Sequence, residues 1–146
     1  MLLLAILLSA PTSWALDWVA SAKVIIVKSI DIASVTELDF GNISRLNGTC
    51  TMASSGGLSG SDGQDCTGTS SPGVFQLNGA NNQSVILKVT AGASVNGVSF
   101  SPKIDGDASL ALTDGTASVQ IIGDLILTDA TLGEKNIAYT LTANYQ

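Results

Sequence analysis

Strict alternation of apolar and polar residues near the end of the chain constrains the fold more than any other feature of the sequence. Apolar side chains occupy every second position, and Thr, Asn or Ala fills the positions between them; the apolar set is Ile137, Tyr139, Leu141, Ala143 and Tyr145. A period of two over such a length is typical of a β-strand with one face buried. The sequence therefore predicts a strand over residues 137–146 that packs one face on a core.

Shorter stretches upstream carry the same signal, and no segment has the period of an amphipathic helix. Gly, Asn, Asp and Ser separate stretches rich in β-branched residues, at 22–32, 37–43, 48–54, 74–79, 83–90, 97–104 and 109–128. Within the last of these, Asp114-Gly115 is a hairpin signal. Seven to nine strands without intervening helices indicate an antiparallel sandwich or barrel. We expect an all-β, immunoglobulin-like antiparallel sandwich, although the Cys…Trp…Cys pattern of immunoglobulin domains is absent.

The N-terminal residues have the composition of a signal peptide. An apolar run over residues 2–8 precedes Pro11, and Ser13 and Ala15 are the small residues expected around a cleavage site. The run is much shorter than the roughly 20 residues that span a bilayer as a helix, so no transmembrane segment is expected. We predict a signal peptide at 1–15, an N-terminal extension at 16–28 and a single β-sandwich domain at 29–146. Cleavage after Ala22 remains an alternative.

Charge and composition exclude several classes of function. The net charge is −6, with no histidine and only 12% charged residues. An acidic chain lacks the basic surface that nucleic acid or anionic lipid requires. Without histidine there is no Ser-His-Asp or Cys-His arrangement, and most aspartates lie beside Gly, Asn or Ser in predicted turns. The sequence therefore predicts neither an enzyme nor a cofactor.

Two sites that could carry chemistry have simpler interpretations. The closely spaced aspartates at 61–65 and 105–107 do not match the EF-hand loop, so no metal site is predicted. Cys50 and Cys66 are the only cysteines. An even cysteine count in an exported chain indicates a disulfide, which closes the long polar loop at 55–73.

The end of the chain resembles the C-terminal signature of bacterial chaperone–usher pilins, the subunits of surface fimbriae. Tyr145 is penultimate, alternating apolar residues precede it, and Gly133 is fourteenth from the end. The stretches "ELDFGNI", "VFQLNG", "QSVILKVT" and "GDLILTDATLGEKNIAYTLTANYQ" are also similar to an exported bacterial β-sandwich family of unknown function. The resemblance spans most of the chain after the predicted signal peptide.

The resemblance implies a specific mode of assembly. Pilin subunits lack the last strand of an immunoglobulin-like fold, and a neighbour's N-terminal extension fills the resulting groove by donor-strand complementation. It implies identical subunits as partners in a surface fibre, a periplasmic chaperone and an outer-membrane usher. The acceptor groove would be lined by Gly133, Ile137, Tyr139, Leu141, Ala143 and Tyr145. The donor side chains would be Trp18, Ala20, Ala22, Val24 and Ile26, since the other register places Lys23 among them.

One alternative to the pilin interpretation fits the same residues. The stretch at 22–32 can be the first strand of a complete sandwich, with 137–146 as its ordinary last strand. The protein would then be a self-contained secreted binding module that recognises a glycan or a protein through the loop at 55–73. Periodicity alone does not separate these alternatives, because it does not show whether a strand has a partner.

Overall fold

The computed structural model describes residues 21–61, Cys66 and residues 68–146. The predicted signal peptide, Trp18 and Ala20 lie outside the described residues. The chain is all-β, and its sheets are antiparallel, as predicted. The described part contains nine strands: β1 Asp31–Thr36, β2 Gly48–Met52, β3 Leu58–Gly60, β4 Gly73–Asn78, β5 Ser84–Ala91, β6 Val98–Asp105, β7 Ser109–Ala111, β8 Thr116–Leu127 and β9 Tyr139–Tyr145.

The strand boundaries agree with the sequence at β2 and from β4 onward. They differ at β1 and at β3, which lies within the stretch 55–73 that was predicted to be a loop. The predicted strand at 22–32 is wrong over most of its length, because residues 21–30 form no regular structure and β1 begins at Asp31. The predicted strand at 37–43 is reduced to one bridge between Asp39 and Ser71. There Phe40 enters the core while Asp39 makes the backbone contacts, so packing holds this stretch without a ladder.

The first sheet is organised around β8. One edge of β8 pairs with β4 over Thr116–Ile121 and then with β2 over Gly123–Leu127. The opposite edge pairs with β6 over Gln120–Leu127. The remaining strands extend the sheet outward, with β1 beyond β4 and β3 beyond β2. Consequently β8 has partners on both sides, whereas β1 lies at an edge of this sheet.

The second sheet has three strands, with β5 between β7 and β9. The Asp114-Gly115 turn is present, with positive φ at both residues and a bridge between Thr113 and Thr116. It does not make a hairpin of β7 and β8, because β7 pairs with β5 instead. The chain therefore crosses from one sheet to the other at this turn, and β9 forms an edge of the second sheet.

The two sheets pack on each other through a shared apolar core. Leu77 on β4 and Ile121 on β8 meet Val85 and Leu87 on β5, and all four are buried. A second cluster contains Met52, Phe100 and their neighbours, where loops cover the first sheet beyond the shorter second sheet. Tyr139 packs against both clusters. These contacts make the fold a β-sandwich.

A disulfide joins Cys50 on β2 to Cys66, with a Cα–Cα distance of 5.7 Å. It ties the loop after β3 to the first sheet, and both cysteines are buried. The structure thus contains the bond that the cysteine count predicts. In the residues that the structure describes, no helix has the length and apolar character needed to cross a membrane.

Candidate functional site: the groove beside β9

The edge of β9 that faces away from β5 has no partner strand in the described part of the chain. On its other edge β9 pairs with β5 from Tyr139, opposite Ala91, to Tyr145, opposite Val85. The apolar residues of β9 point inward but are only partly buried, whereas Thr140, Thr142 and Asn144 are exposed. The outer edge of β9 therefore combines unpaired backbone groups with an incompletely covered apolar face.

An open cavity of about 360 Å³ lies between this edge of β9 and the first sheet. Its inner wall comes from Ile137, Tyr139 and Leu141, and the facing wall comes from Ile32 on β1 and Phe75 on β4. β1 and β9 each lie at an edge of their sheets, so this cavity opens between two sheet edges.

A second cavity of about 350 Å³ follows the first along β9. It is lined by Ala143, Asn144 and Tyr145 on one side and by residues 27–30, which lead into β1, on the other. We call the two cavities together the open groove. All five alternating residues that the sequence predicts at the groove, from Ile137 to Tyr145, line it.

Tyr139 lies at the centre of the first cavity. Its ring makes edge-on contacts with Phe100 and Phe75, at centroid distances of 5.5 and 6.3 Å. Gly73 makes this packing possible, because an ideal Cβ there would lie 2.8 Å from the Tyr139 hydroxyl. Burial raises the pKa of the Tyr139 phenol above its usual value, since the apolar surroundings disfavour the phenolate. The first cavity therefore has apolar side chains around its one hydroxyl.

Gly133 is not part of either cavity wall. It lies in the exposed loop before β9, with a φ of 100°, where the Lys135 ammonium donates hydrogen bonds to the carbonyls of Leu132 and Gly133. An ideal Cβ at Gly133 would meet only Lys135 Nζ, at 3.8 Å. In this structure the glycine shapes the turn that leads to β9 and does not border the groove.

The N-terminal segment has apolar side chains that are exposed to solvent. Of the residues predicted as donors, Ala22, Val24 and Ile26 are exposed, and Val24 and Ile26 have 79% and 89% of their surface accessible. Ile25 and Val27 are exposed as well. A contiguous apolar stretch of this kind is unusual on a soluble protein that has no partner.

Sequence reasoning missed the wall that faces β9. Ile30, Ile32 and Phe75 pack against the same core cluster as β9. Alternation already places Ile30 and Ile32 in phase with Val24 and Ile26, and Phe75 in phase with the buried Leu77. These signals indicate inward faces, but they do not show that β1, β4 and β9 meet.

The other candidate chemistry of the sequence is not assembled into a site. Within the described residues, no three acidic or cysteine side chains cluster closely enough to hold a metal ion. Asp105 accepts a hydrogen bond from Ser54, which is a structural role at the end of β6. Asp62 and Asp65 lie outside the described residues.

Comparisons of the chain with models of protein families, with curated proteins and with solved structures found no match. Functional inference therefore depends on the groove, the exposed segment and the sequence features themselves.

Proposed function

We propose that this protein is a structural subunit of a bacterial surface fibre, and that it polymerises by donor-strand complementation. The observation that carries the proposal is the open groove, where β9 has an edge with no partner among the described strands and where Ile137 and the four apolar residues of β9 are only partly buried. In this proposal the groove receives the N-terminal segment of a second copy, and the protein catalyses no reaction.

The chemistry and length of the N-terminal segment suit the groove. From Ile137 to Tyr145 the acceptor covers eight residue steps, or about 27 Å of strand. The set Trp18, Ala20, Ala22, Val24 and Ile26 covers the same number of steps with the same period of two. Pairing along β9 supplies main-chain hydrogen bonds, while the alternating side chains enter the two cavities, of which the first has an apolar lining.

Exit geometry favours a second copy over the subunit's own segment. From Lys28, beside Tyr145, the chain runs to Ile32 in the first cavity, so it is antiparallel to β9. Residues before Lys28 consequently lead past the Tyr145 end of the groove. A return would need a sharp reversal within residues 27–30, which contain no Gly, Pro, Asn or Asp.

In this proposal the free energy of assembly comes from burying the neighbour's N-terminal segment in the open groove. Each large side chain that is buried contributes about 1.5–3 kcal/mol, before the cost of ordering the segment. An open groove with a free strand edge is also an aggregation hazard. In this proposal a periplasmic chaperone covers the groove after export, and an outer-membrane usher directs assembly at the cell surface.

Paired substitutions in the full chain test the proposal by size-exclusion chromatography. Ile26→Asp places a charge on a proposed donor residue, and Ile25→Asp places the same charge on the alternate face. Both residues are exposed, so folding is expected to survive either change. We expect the unsubstituted chain and Ile25→Asp to form polymers that resist mild denaturant, and Ile26→Asp to remain monomeric because a charge does not enter an apolar cavity without a large cost.

A second pair tests the acceptor side. Leu141→Asp introduces the charge into the groove, whereas Thr142→Asp introduces it on the solvent face opposite Lys88. Mixing Ile26→Asp with Leu141→Asp subunits should give dimers, since each supplies the surface that the other lacks. A chain that stays monomeric in every form, and does not bind a peptide of residues 17–28, would refute the proposal and favour the self-contained binding module.

A further inference from the structure

The hydroxyl of Tyr145 joins three parts of the chain that are distant in sequence. It donates a hydrogen bond to the Lys28 carbonyl, at 2.6 Å, and accepts one from the Ala80 amide, at 2.7 Å. Tyr145 itself pairs with Val85 at the end of β9. The segment that precedes β1 is thereby tied to both the last strand and the turn between β4 and β5.

The surroundings hold this hydroxyl in place. An ideal Cβ at Gly79 would lie 2.5 Å from the Tyr145 hydroxyl oxygen and 2.6 Å from Leu112 Cδ1. Only glycine leaves space for the phenol at this position. The next residue also fixes the strand end, because the Gln146 amide donates to the Ser84 carbonyl, at 3.0 Å.

We propose that Tyr145 is a positioning residue that clamps the base of the N-terminal segment against β9. The clamp holds residues 27–30 as one wall of the second cavity, and it fixes the point at which the segment leaves the fold. This inference deepens the proposed function, since the clamped segment is the proposed donor. It sets the position of a subunit's donor relative to its own acceptor groove.

Native-state proteolysis offers a direct readout of the clamp. The carbonyl that Tyr145 holds belongs to the Lys28–Ser29 peptide bond, which trypsin cleaves. Lys23 lies in the exposed stretch of the same segment and supplies an internal reference. Since a protease requires a locally opened chain, the ratio of cleavage after Lys28 to cleavage after Lys23 reports release of the clamp.

The test compares Tyr145→Phe with Tyr139→Phe in the full chain, using brief trypsin digestion and mass spectrometry. Both changes remove one hydroxyl from β9, but no hydrogen bond among the described residues involves that of Tyr139. We expect Tyr145→Phe to raise the Lys28/Lys23 ratio about five-fold, which is the effect of losing the one neutral hydrogen bond that holds the Lys28 carbonyl. Tyr139→Phe should leave the ratio unchanged.

A second variant acts on the clamp without changing its tyrosine. In Gly79→Ala the added Cβ should displace the Tyr145 hydroxyl from the Lys28 carbonyl, and the Lys28/Lys23 cleavage ratio should rise. Equal cleavage after Lys23 and Lys28 in the unsubstituted chain would overturn the inference. So would a ratio that Tyr145→Phe does not alter.

Failure of the clamp and failure of the proposed function give different results. Docking of the segment in a neighbour's groove protects Lys23 and Lys28 together, whereas the clamp protects Lys28 alone. The digestion is therefore run on the monomer fraction, and the ratio is informative whether or not the chain polymerises. If the chain never assembles but Tyr145→Phe still raises the cleavage ratio five-fold, the clamp is supported and the proposed fibre is refuted.

Discussion

β8 and β9 have the same alternating pattern, but only β8 has partners along both edges. From Val119 to Leu127 the inward side chains of β8 are buried, as in Ile121 at 0% exposure, and its neighbours are β4 and β2 on one side and β6 on the other. The inward side chains of β9 are partly exposed, and its only partner among the described strands is β5.

Comparing β8 with β9 separates two properties of an alternating strand, namely which face is apolar and how completely that face is covered. Alternation determines which face of a strand is apolar, and it does so equally well in both strands. How completely that face is covered depends on what lies beside the strand. In β8 the covering is intramolecular, whereas in β9 we propose that it comes from a second copy.

The largest expected effect is the loss of stability when an inward side chain of β8 or of β9 is truncated to alanine. Ile121→Ala should lower the free energy of unfolding by about 2–5 kcal/mol, because it leaves a cavity in a closed core. Leu141→Ala should cost about half as much in the monomer, since solvent already reaches its site. Urea unfolding of the monomer fraction measures both costs.

Adding a peptide of residues 17–28 sharpens this prediction. If the peptide fills the open groove, the cost of Leu141→Ala should rise toward that of Ile121→Ala, while the cost of Ile121→Ala stays constant. Equal costs without the peptide would mean that β9 is already fully covered, and the contrast between the two strands would disappear.

An intermediate effect on stability is expected when Gly123 in β8 and Gly133 in the loop before β9 are changed to alanine. Gly123 lies in β8 where its partner changes from β4 to β2, and an added Cβ would collide with the Ser101 carbonyl oxygen of β6. Gly133 also has a positive φ, but an added Cβ meets only Lys135 there. Gly123→Ala should therefore cost about 2–3 kcal/mol through overpacking, and Gly133→Ala about 1 kcal/mol through backbone strain alone.

Thermal unfolding of the two alanine variants measures this difference. A Gly133→Ala cost equal to that of Gly123→Ala would show that the loop before β9 is packed as tightly as the centre of β8. That result would contradict the open character of the β9 side.

The smallest effect concerns the outer face of β8, where Asp124 bridges both neighbouring strands. Its carboxylate accepts hydrogen bonds from Lys103 on β6 and Thr51 on β2, both at 2.7 Å, and these contacts lower the pKa of Asp124. A lowered folded-state pKa stabilises the protein above the usual aspartate pKa, about 3.9, and that contribution is lost as the pH falls further.

Asp124→Asn should accordingly reduce stability near neutral pH by only about 0.2–1 kcal/mol, because the pair is partly exposed. Near pH 2.5 the difference between the two proteins should shrink. Urea midpoints at the two pH values provide the measurement, and a difference that grows on acidification would contradict the direction of the shift.

Much of the fold follows from local sequence, and the exceptions have identifiable causes. Alternation located β4, β5, β6 and β8 within one or two residues of their bounds, and the cysteine count gave the disulfide. The error at 22–30 arose because β-branched residues favour a strand wherever a partner exists, and this stretch has no partner strand among the residues that the structure describes. The hairpin expected at Asp114-Gly115 does not join β7 to β8, because such a turn specifies a reversal but not the strands that pair afterwards.

The candidate site likewise contains residues that the local sequence predicts and contacts that it does not. Ile137 and the four apolar residues of β9 line the open groove, and their common face is a local property of the chain that alternation predicts. Ile32 and Phe75 on the facing wall, and the contact of the Tyr145 hydroxyl with Lys28, were not foreseen. Each of these depends on a meeting of chain segments that are far apart in sequence.

The sequence by itself determined the all-β class, the inward face of each principal strand and the closing of the Cys50–Cys66 loop. Tertiary structure alone decided that β1 and β9 are edges on the same side of the sandwich, with an open groove between them. The physical reason is that side-chain period is set by the local backbone, whereas edge pairing is set by which distant strands compete for the same hydrogen-bonding groups.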